Sequence, residues 1–190
     1  MKIVYLVHGW GGNDSSEKWF SWLKHELKKR KIGVISFNMP NTNAPKIEEW
    51  VNYLKNNVKK IDEETYFIGH SIGCQAILRF LEKLPENIKV GGGVFIAPWM
   101  HLDKNTIKEE GEQVVKIARP WIKTPINFNK IKKHTKKFLA IFSNNDPYVP
   151  LSDPKLFKEK LGAEIIIKKK QEHFHKTREI PEIIAKICSL

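Results

Sequence analysis

Long apolar runs are missing from this 190-residue chain, and cysteine is scarce. A membrane-spanning helix needs about 20 consecutive apolar residues, and no segment approaches that length. The two cysteines, Cys74 and Cys188, are too few for a disulfide framework and stand in no metal-binding spacing. The first residues do not have the pattern of a signal peptide. We therefore expect a cytoplasmic protein with no membrane span, no metal and no cofactor.

Acidic residues are outnumbered, with 33 Lys and Arg against 21 Asp and Glu and a net charge of +12. A basic surface can attract nucleic acid or an anionic membrane, but it can also consist of ordinary solvated faces. The lysine runs at residues 28–31, 136–137 and 168–170 are separated along the chain and contain no aromatic residues. No nucleic-acid-binding motif accompanies them. The sequence therefore predicts no nucleic-acid partner.

Short β-branched apolar runs alternate with amphipathic helical patterns along the chain. Such alternation predicts an α/β fold with a mostly parallel sheet covered by helices. The predicted strands cover residues 3–7, 34–38, 65–68, 92–97, 138–142 and 164–167. We expect one domain over residues 1–190. Residues from about 101 to 133 exceed the length of a simple crossover, which predicts a small helical insertion that acts as a lid or faces the substrate.

The strongest chemical signal is Gly69-His70-Ser71-Ile72-Gly73, which lies between a predicted strand and a predicted helix. This is the setting of a nucleophile elbow, a tight turn that exposes a serine hydroxyl above the sheet. Glycine is needed two residues either side of the serine because the turn leaves little space. The pattern predicts Ser71 as a catalytic nucleophile.

A serine nucleophile needs a base, and the base needs an acid to orient it. In strand–elbow–helix hydrolases these follow in the order serine, acid, histidine. Asp146 comes directly after the predicted fifth strand and is the preferred acid, with Asp153 and then Asp103 as alternatives. Two histidines, His173 and His175, follow the sixth strand, and position alone does not separate them.

The first predicted strand ends in a glycine-rich loop, His8-Gly9-Trp10-Gly11-Gly12. Backbone N–H groups of this loop and of the residue after the nucleophile form the oxyanion hole in such enzymes. We therefore expect Trp10 and Ile72 to be the two backbone donors. His8 is expected to make hydrogen bonds within the loop. Trp10, Trp99 and Trp121 are candidates to line a pocket, although core packing explains a tryptophan equally well.

Together these segments resemble the small serine hydrolases of the retinoblastoma-binding protein nine family, within the α/β-hydrolase superfamily. The resemblance covers nearly the whole chain. It rests on the loop after the first strand, Trp19 with Trp22-Leu23, Asn38-Met39-Pro40, the Ser71 motif, Ile96-Ala97-Pro98, residues 145–150 and His173-Phe174. It implies His173, which precedes a phenylalanine, as the base. Relatives usually carry glycine before this histidine, where this chain has Glu172.

The function predicted is hydrolysis of carboxylic esters or related small acyl compounds by Ser71, His173 and Asp146. The alternative is a catalytically weak protein of the same fold that binds a ligand or a protein partner, since a fold does not guarantee an activity. A small-molecule acyl substrate is the expected partner, and no metal or cofactor is required by this chemistry.

Overall fold

Six parallel strands form a single sheet in the order β2-β1-β3-β4-β5-β6 in the computed structural model, which describes residues 1–15 and 17–189. The strands are β1 Ile3–Val7, β2 Gly33–Phe37, β3 Thr65–His70, β4 Gly92–Ile96, β5 Phe138–Ser143 and β6 Glu164–Lys168. The predicted α/β fold is therefore confirmed. Since the chain passes from β1 outward to β2 and then back to β3, strand order reverses at β1, which pairs with both.

Burial explains which strands are central. Every residue of β3, β4 and β5 is buried, and these strands are rich in Phe, Ile and Val. A parallel strand that is covered on both faces requires such a continuous apolar run. The edge strands are more open, and Ile35 in β2 and Ile167 in β6 are 39% and 51% exposed.

Helices cover both faces of the sheet. Their bounds are α1 Lys18–Lys29, α2 Ile47–Asn57, α3 Ile72–Glu82, α4 Lys104–Glu109, α5 Gly111–Lys123, α6 Phe128–His134, α7 Asp153–Leu156 and α8 Pro181–Cys188. α3 is the central helix, buried from Ile72 to Leu81, and α7 continues into a π-helical turn over Phe157–Leu161. Within the described residues, no helix combines the length and the apolar character needed to cross a membrane.

The segment between β4 and β5 holds α4, α5 and α6, and two buried charged side chains fasten it. At its start, Asp153 accepts hydrogen bonds from the N–H groups of Met100 and His101, at 2.6 and 3.1 Å. At the end of α5, the Arg79 guanidinium donates to the carbonyls of Trp121 and Thr124, at 2.9 and 2.8 Å. The segment is thus anchored to the body of the fold at its start and at the end of α5.

Candidate active site

Ser71 lies at the turn between β3 and α3 in a backbone conformation that non-glycine residues rarely adopt. Its φ is +53° and its ψ is −124°. The N–H of Ser71 donates to the carbonyl of Ile96 at the end of the neighbouring strand, at 2.9 Å. Strain of this kind persists only where the surroundings enforce it, and it is concentrated at functional sites.

The two glycines of the motif are required by close backbone approach. A Cβ at Gly69 would lie 2.7 Å from the main-chain nitrogen of Cys74. A Cβ at Gly73 would lie 2.5 Å from the carbonyl oxygen of His8 and 2.6 Å from that of Val7. These neighbours are backbone atoms, which cannot rotate away. The turn therefore brings α3 against both β3 and the end of β1.

The carboxyl ends of β5 and β6 bring Asp146 and His173 together. Nδ1 of His173 lies 2.8 Å from Oδ2 of Asp146. The other carboxylate oxygen, Oδ1, accepts hydrogen bonds from the N–H groups of Tyr148 and Val149, at 2.9 and 3.2 Å. Backbone N–H groups of the same turn thus hold the Asp146 carboxylate in place while its other oxygen orients the His173 ring.

The environment of His173 favours its neutral form. The residue is 5% exposed, and burial lowers the pKa of His173 below its usual range. The hydrogen bond that the ring donates to Asp146 opposes that lowering without reversing it. A neutral ring that donates Nδ1–H to Asp146 carries its lone pair on Nε2, on the opposite side of the ring. His173 is therefore able to accept a proton at neutral pH.

Ser71 and His173 line one cavity of about 240 Å³. Its other walls come from the loop after β1, the end of β4, the insertion and the Asp146 turn. The residues that contribute are Trp10, Trp99, Leu102, Thr106, Glu110, Val114, Tyr148 and His175. The insertion thus forms part of the cavity wall. The Thr106 hydroxyl donates to the main-chain carbonyl of Pro147, at 2.9 Å, which joins the insertion to the Asp146 turn.

The predicted oxyanion donors are the backbone N–H groups of Trp10 and Ile72. Ile72 is the first residue of α3, and the first N–H groups of a helix have no partner within it. In the loop after β1, the N–H of Gly11 donates to Thr42 and that of Gly12 donates to Gly9. Trp10 stays the donor predicted from this loop.

A family model described as serine hydrolase matches residues 4–181, which is nearly the whole chain. The chain belongs to the serine hydrolase family. The resemblance predicted from the sequence is therefore confirmed, and with it the general activity of a hydrolase.

Known proteins similar to this serine hydrolase agree in fold and length. YdeN of Bacillus subtilis is 29% identical over 173 residues, which cover 91% of this chain and 86% of YdeN. The crystal structure of YdeN superimposes on this protein with a TM-score of 0.86 and 26% identity, and the alignment covers 100% of each chain. The serine hydrolase RBBP9 of Rattus norvegicus is 24% identical over 191 residues, covering 100% of this chain and 95% of RBBP9.

More distant structures share the α/β-hydrolase fold. A structure from a study of carboxylesterases of Nitrososphaera gargenis has a TM-score of 0.73 at 16% identity, over 99% of this chain and 90% of that one. At such low identity the likeness shows the fold alone.

The other candidate acids of this serine hydrolase have different partners. Asp153 is fully buried and accepts from Met100, His101 and the His101 ring, as described for the insertion. Asp103 caps the start of α4 and accepts from the N–H of Asn105 at 2.9 Å. Among the three, Asp146 is the one that contacts His173.

The other candidate histidines and tryptophans differ in their partners and positions. His175 hydrogen-bonds through Nδ1 to Glu17, at 3.1 Å, rather than to Asp146. His8 is buried between the Gly9 carbonyl and the Met39 N–H, at 2.7 and 3.0 Å, as a loop-stabilising residue would be. Trp121 does not line the cavity, because it packs edge-on against Trp50 in the core.

Sequence reasoning missed Glu17, a residue with 1% exposure that precedes α1. Its two carboxylate oxygens lie 3.0 Å from Nδ1 of His70 and 3.1 Å from Nδ1 of His175. Burial alone would raise the pKa of Glu17, but the two histidines outweigh burial and hold that pKa well below its usual range. These three side chains could hold a metal ion. A lone glutamate before a helix gives no sequence signal of such a role.

Proposed function

We propose that this serine hydrolase cleaves carboxylic esters or related small acyl compounds through Ser71, His173 and Asp146. The observation that carries the proposal is the pairing of a strained Ser71 with a neutral, Asp146-bound His173 on one cavity. This combination supplies a nucleophile, a base and an orienting acid.

In the first half of the reaction, Oγ of Ser71 bonds to the acyl carbon while Nε2 of His173 takes the hydroxyl proton. The carbonyl electron pair moves onto oxygen, where the N–H groups of Trp10 and Ile72 stabilise the negative charge. The tetrahedral intermediate then expels the alcohol, which leaves with the proton from His173. In the second half, water adds to the acyl-enzyme by the same steps and releases the acid.

The cavity favours a small substrate with an apolar acyl group. Its volume of about 240 Å³ is less than the roughly 300–1,000 Å³ of pockets for drug-sized ligands. Trp99, Leu102 and Val114 supply apolar walls. The insertion that carries Leu102 and Val114 is proposed to act as a lid that excludes water from the acyl-enzyme.

A fluorophosphonate probe tests the nucleophile, because it reacts with an activated serine. We expect rapid labelling of the wild type, no labelling of Ser71→Ala, and unchanged labelling of Ser21→Ala, which alters an exposed serine on α1. Hydrolysis of p-nitrophenyl acetate, butyrate and decanoate then tests the acyl pocket, with the short esters expected to be preferred. A folded wild type that neither labels nor turns over these esters would favour the alternative, a binding protein of the same fold.

A further inference from the structure

Glu17, His70 and His175 meet beside His173 but have no place in the proposed reaction. Each residue offers one possible ligand atom, a carboxylate oxygen from Glu17 and a ring nitrogen from each histidine, and these three atoms lie within 4.8 Å of one another. Glu17 and His70 are buried, while the side chain of His175 is 54% exposed. The cluster is therefore closed on the protein side and accessible from solvent at His175.

The tautomer of His70 follows from its other ring nitrogen. Nε2 lies 2.8 Å from the main-chain carbonyl oxygen of His173, and since a carbonyl only accepts, Nε2 must carry the hydrogen. In a neutral ring Nδ1 then holds a lone pair. Within the described residues, that buried Nδ1 makes no hydrogen bond, although Oε1 of Glu17 is 3.0 Å away.

Two electron-rich atoms therefore face each other inside the protein, a contact that costs free energy unless a cation lies with them. Either a second proton on His70 or a metal ion could supply the charge. Convergence of a second imidazole nitrogen on the same carboxylate favours the metal.

The ligand set matches the requirements of zinc. Two histidines and a glutamate are a known zinc-binding combination that leaves a fourth position open. Tetrahedral bonds of about 2.0–2.2 Å place neighbouring ligand atoms roughly 3.4 Å apart. Nδ1 of His70 lies 3.0 Å from Oε1 of Glu17, and Nδ1 of His175 lies 3.1 Å from the other oxygen, Oε2, so each ring is close to that separation from one oxygen of the carboxylate. Donation of the distal N–H of a histidine to a backbone carbonyl, as in His70, is the usual support of a ligating histidine.

We propose that Glu17, His70 and His175 bind one divalent transition-metal ion of the zinc type, with its fourth position open to solvent at the edge of the active-site cavity. The ion would join the segment before α1 to the residue before Ser71 and to the His173 loop. Ligation through Nδ1 leaves the hydrogen bond from His70 to His173 intact. The three residues come from separate segments, so no sequence spacing predicts the site.

Metal binding to the chelator-treated, dialysed protein tests this proposal. With Zn²⁺ as the titrant in calorimetry, we expect one equivalent to bind and the melting temperature to rise. With Co²⁺ as the probe, we expect the visible absorption of a tetrahedral ion. Glu17→Gln and His175→Gln should each weaken Zn²⁺ binding at least tenfold, while the exposed controls Glu48→Gln and His25→Gln should not change it.

Two results would overturn the proposal: no Zn²⁺ binding by the folded wild type, or full affinity in both Glu17→Gln and His175→Gln. Either would show that the contacts of His70 and His175 with Glu17 do not serve a metal ion. If Glu17→Gln does not fold, His175→Gln decides the matter, because its side chain is half-exposed. Ser71→Ala should bind Zn²⁺ like the wild type. The metal-site proposal and the proposed catalysis are therefore tested independently.

Discussion

The His70 ring donates from Nε2 to the main-chain carbonyl of His173 over 2.8 Å, across 103 positions of sequence. The residue immediately before Ser71 thus holds the backbone of the residue expected to deprotonate Ser71. The two rings also pack with their centroids 5.0 Å apart. The turn after β3 and the loop after β6 are therefore coupled by one buried side chain.

Removal of this donor should loosen the His173 loop. In His70→Leu the carbonyl of His173 loses its partner, and an unsatisfied buried polar group costs about 1–3 kcal/mol. We expect fluorophosphonate labelling to slow on the order of tenfold and urea unfolding to show a stability loss of that size. His70→Gln keeps an N–H donor and should lose less of both. Wild-type labelling by His70→Leu would show that this hydrogen bond has no part in positioning His173.

Asp146→Asn should leave the fold intact and remove most of the activity. The amide oxygen can still accept from Tyr148 and Val149, but the amide N–H₂ would face Nδ1 of His173. His173 would then carry its proton on Nε2 and could not accept another from Ser71. Loss of the orienting carboxylate in such a triad costs on the order of 10⁴-fold in kcat. Ester hydrolysis and thermal melting measure the two effects separately.

The opposite pattern is expected for Asp153, the alternative acid. Asp153→Ala leaves the N–H of Met100 without its buried acceptor and should lower stability by about 1–3 kcal/mol. The labelling rate of the folded protein should stay close to that of the wild type. Should Asp153→Ala abolish labelling while Asp146→Asn retains it, the assignment of the acid would be reversed.

Gly73→Ala should disrupt the turn that presents Ser71. The new Cβ would meet two backbone carbonyls at 2.5 and 2.6 Å, so α3 would have to move away from β1. Overpacking of this kind costs about 1–3 kcal/mol, and here it displaces the nucleophile as well. Gly33→Ala is a matched control, because its Cβ would have ordinary contacts no closer than 3.7 Å. Melting temperature and labelling of the two variants give the comparison.

Glu172→Gly should stabilise the protein. Glu172 has a φ of +49°, and Lys170 and Phe174 on either side of it are also left-handed, at +54° and +65°. A side chain in this region costs about 1–2 kcal/mol, which glycine avoids. We expect urea unfolding to show a gain of about 1 kcal/mol, net of the greater chain entropy of glycine. Glu172→Ala removes the same carboxylate but keeps the strain, so it should show no gain.

The same φ would suit a glycine at position 172, the residue that the family resemblance implies there. Glu172 keeps the loop in that conformation through other contacts, including its N–H, which donates to the side chain of Asn145 at 3.0 Å. We therefore expect the glutamate at position 172 to lower the free energy of unfolding without changing the conformation of the loop.

The sheet could be predicted from the sequence because its central strands are buried on both faces. Such strands must be apolar throughout, so runs like that of β1 fall within a residue or two of their observed bounds. The elbow was predictable for a similar reason, since its glycines obey a local steric rule.

Other parts of the molecule depend on contacts that no local pattern encodes. The short α7 and the π-helical turn after it carry too few residues to show helical periodicity. The contact between Glu17 and His175 joins positions 158 apart. His173 could be separated from His175 only by resemblance, whereas in the fold their ring nitrogens face different carboxylates.

The shape of the turn at Ser71 has a consequence for how the enzyme comes into being. The turn is held by the Ile96 carbonyl on one side and by the chain that leaves β1 on the other. These are the two strands that flank β3, so we expect Ser71 to become reactive only after β1, β3 and β4 have come together. The rate of fluorophosphonate labelling during refolding would therefore report when the centre of the sheet has assembled.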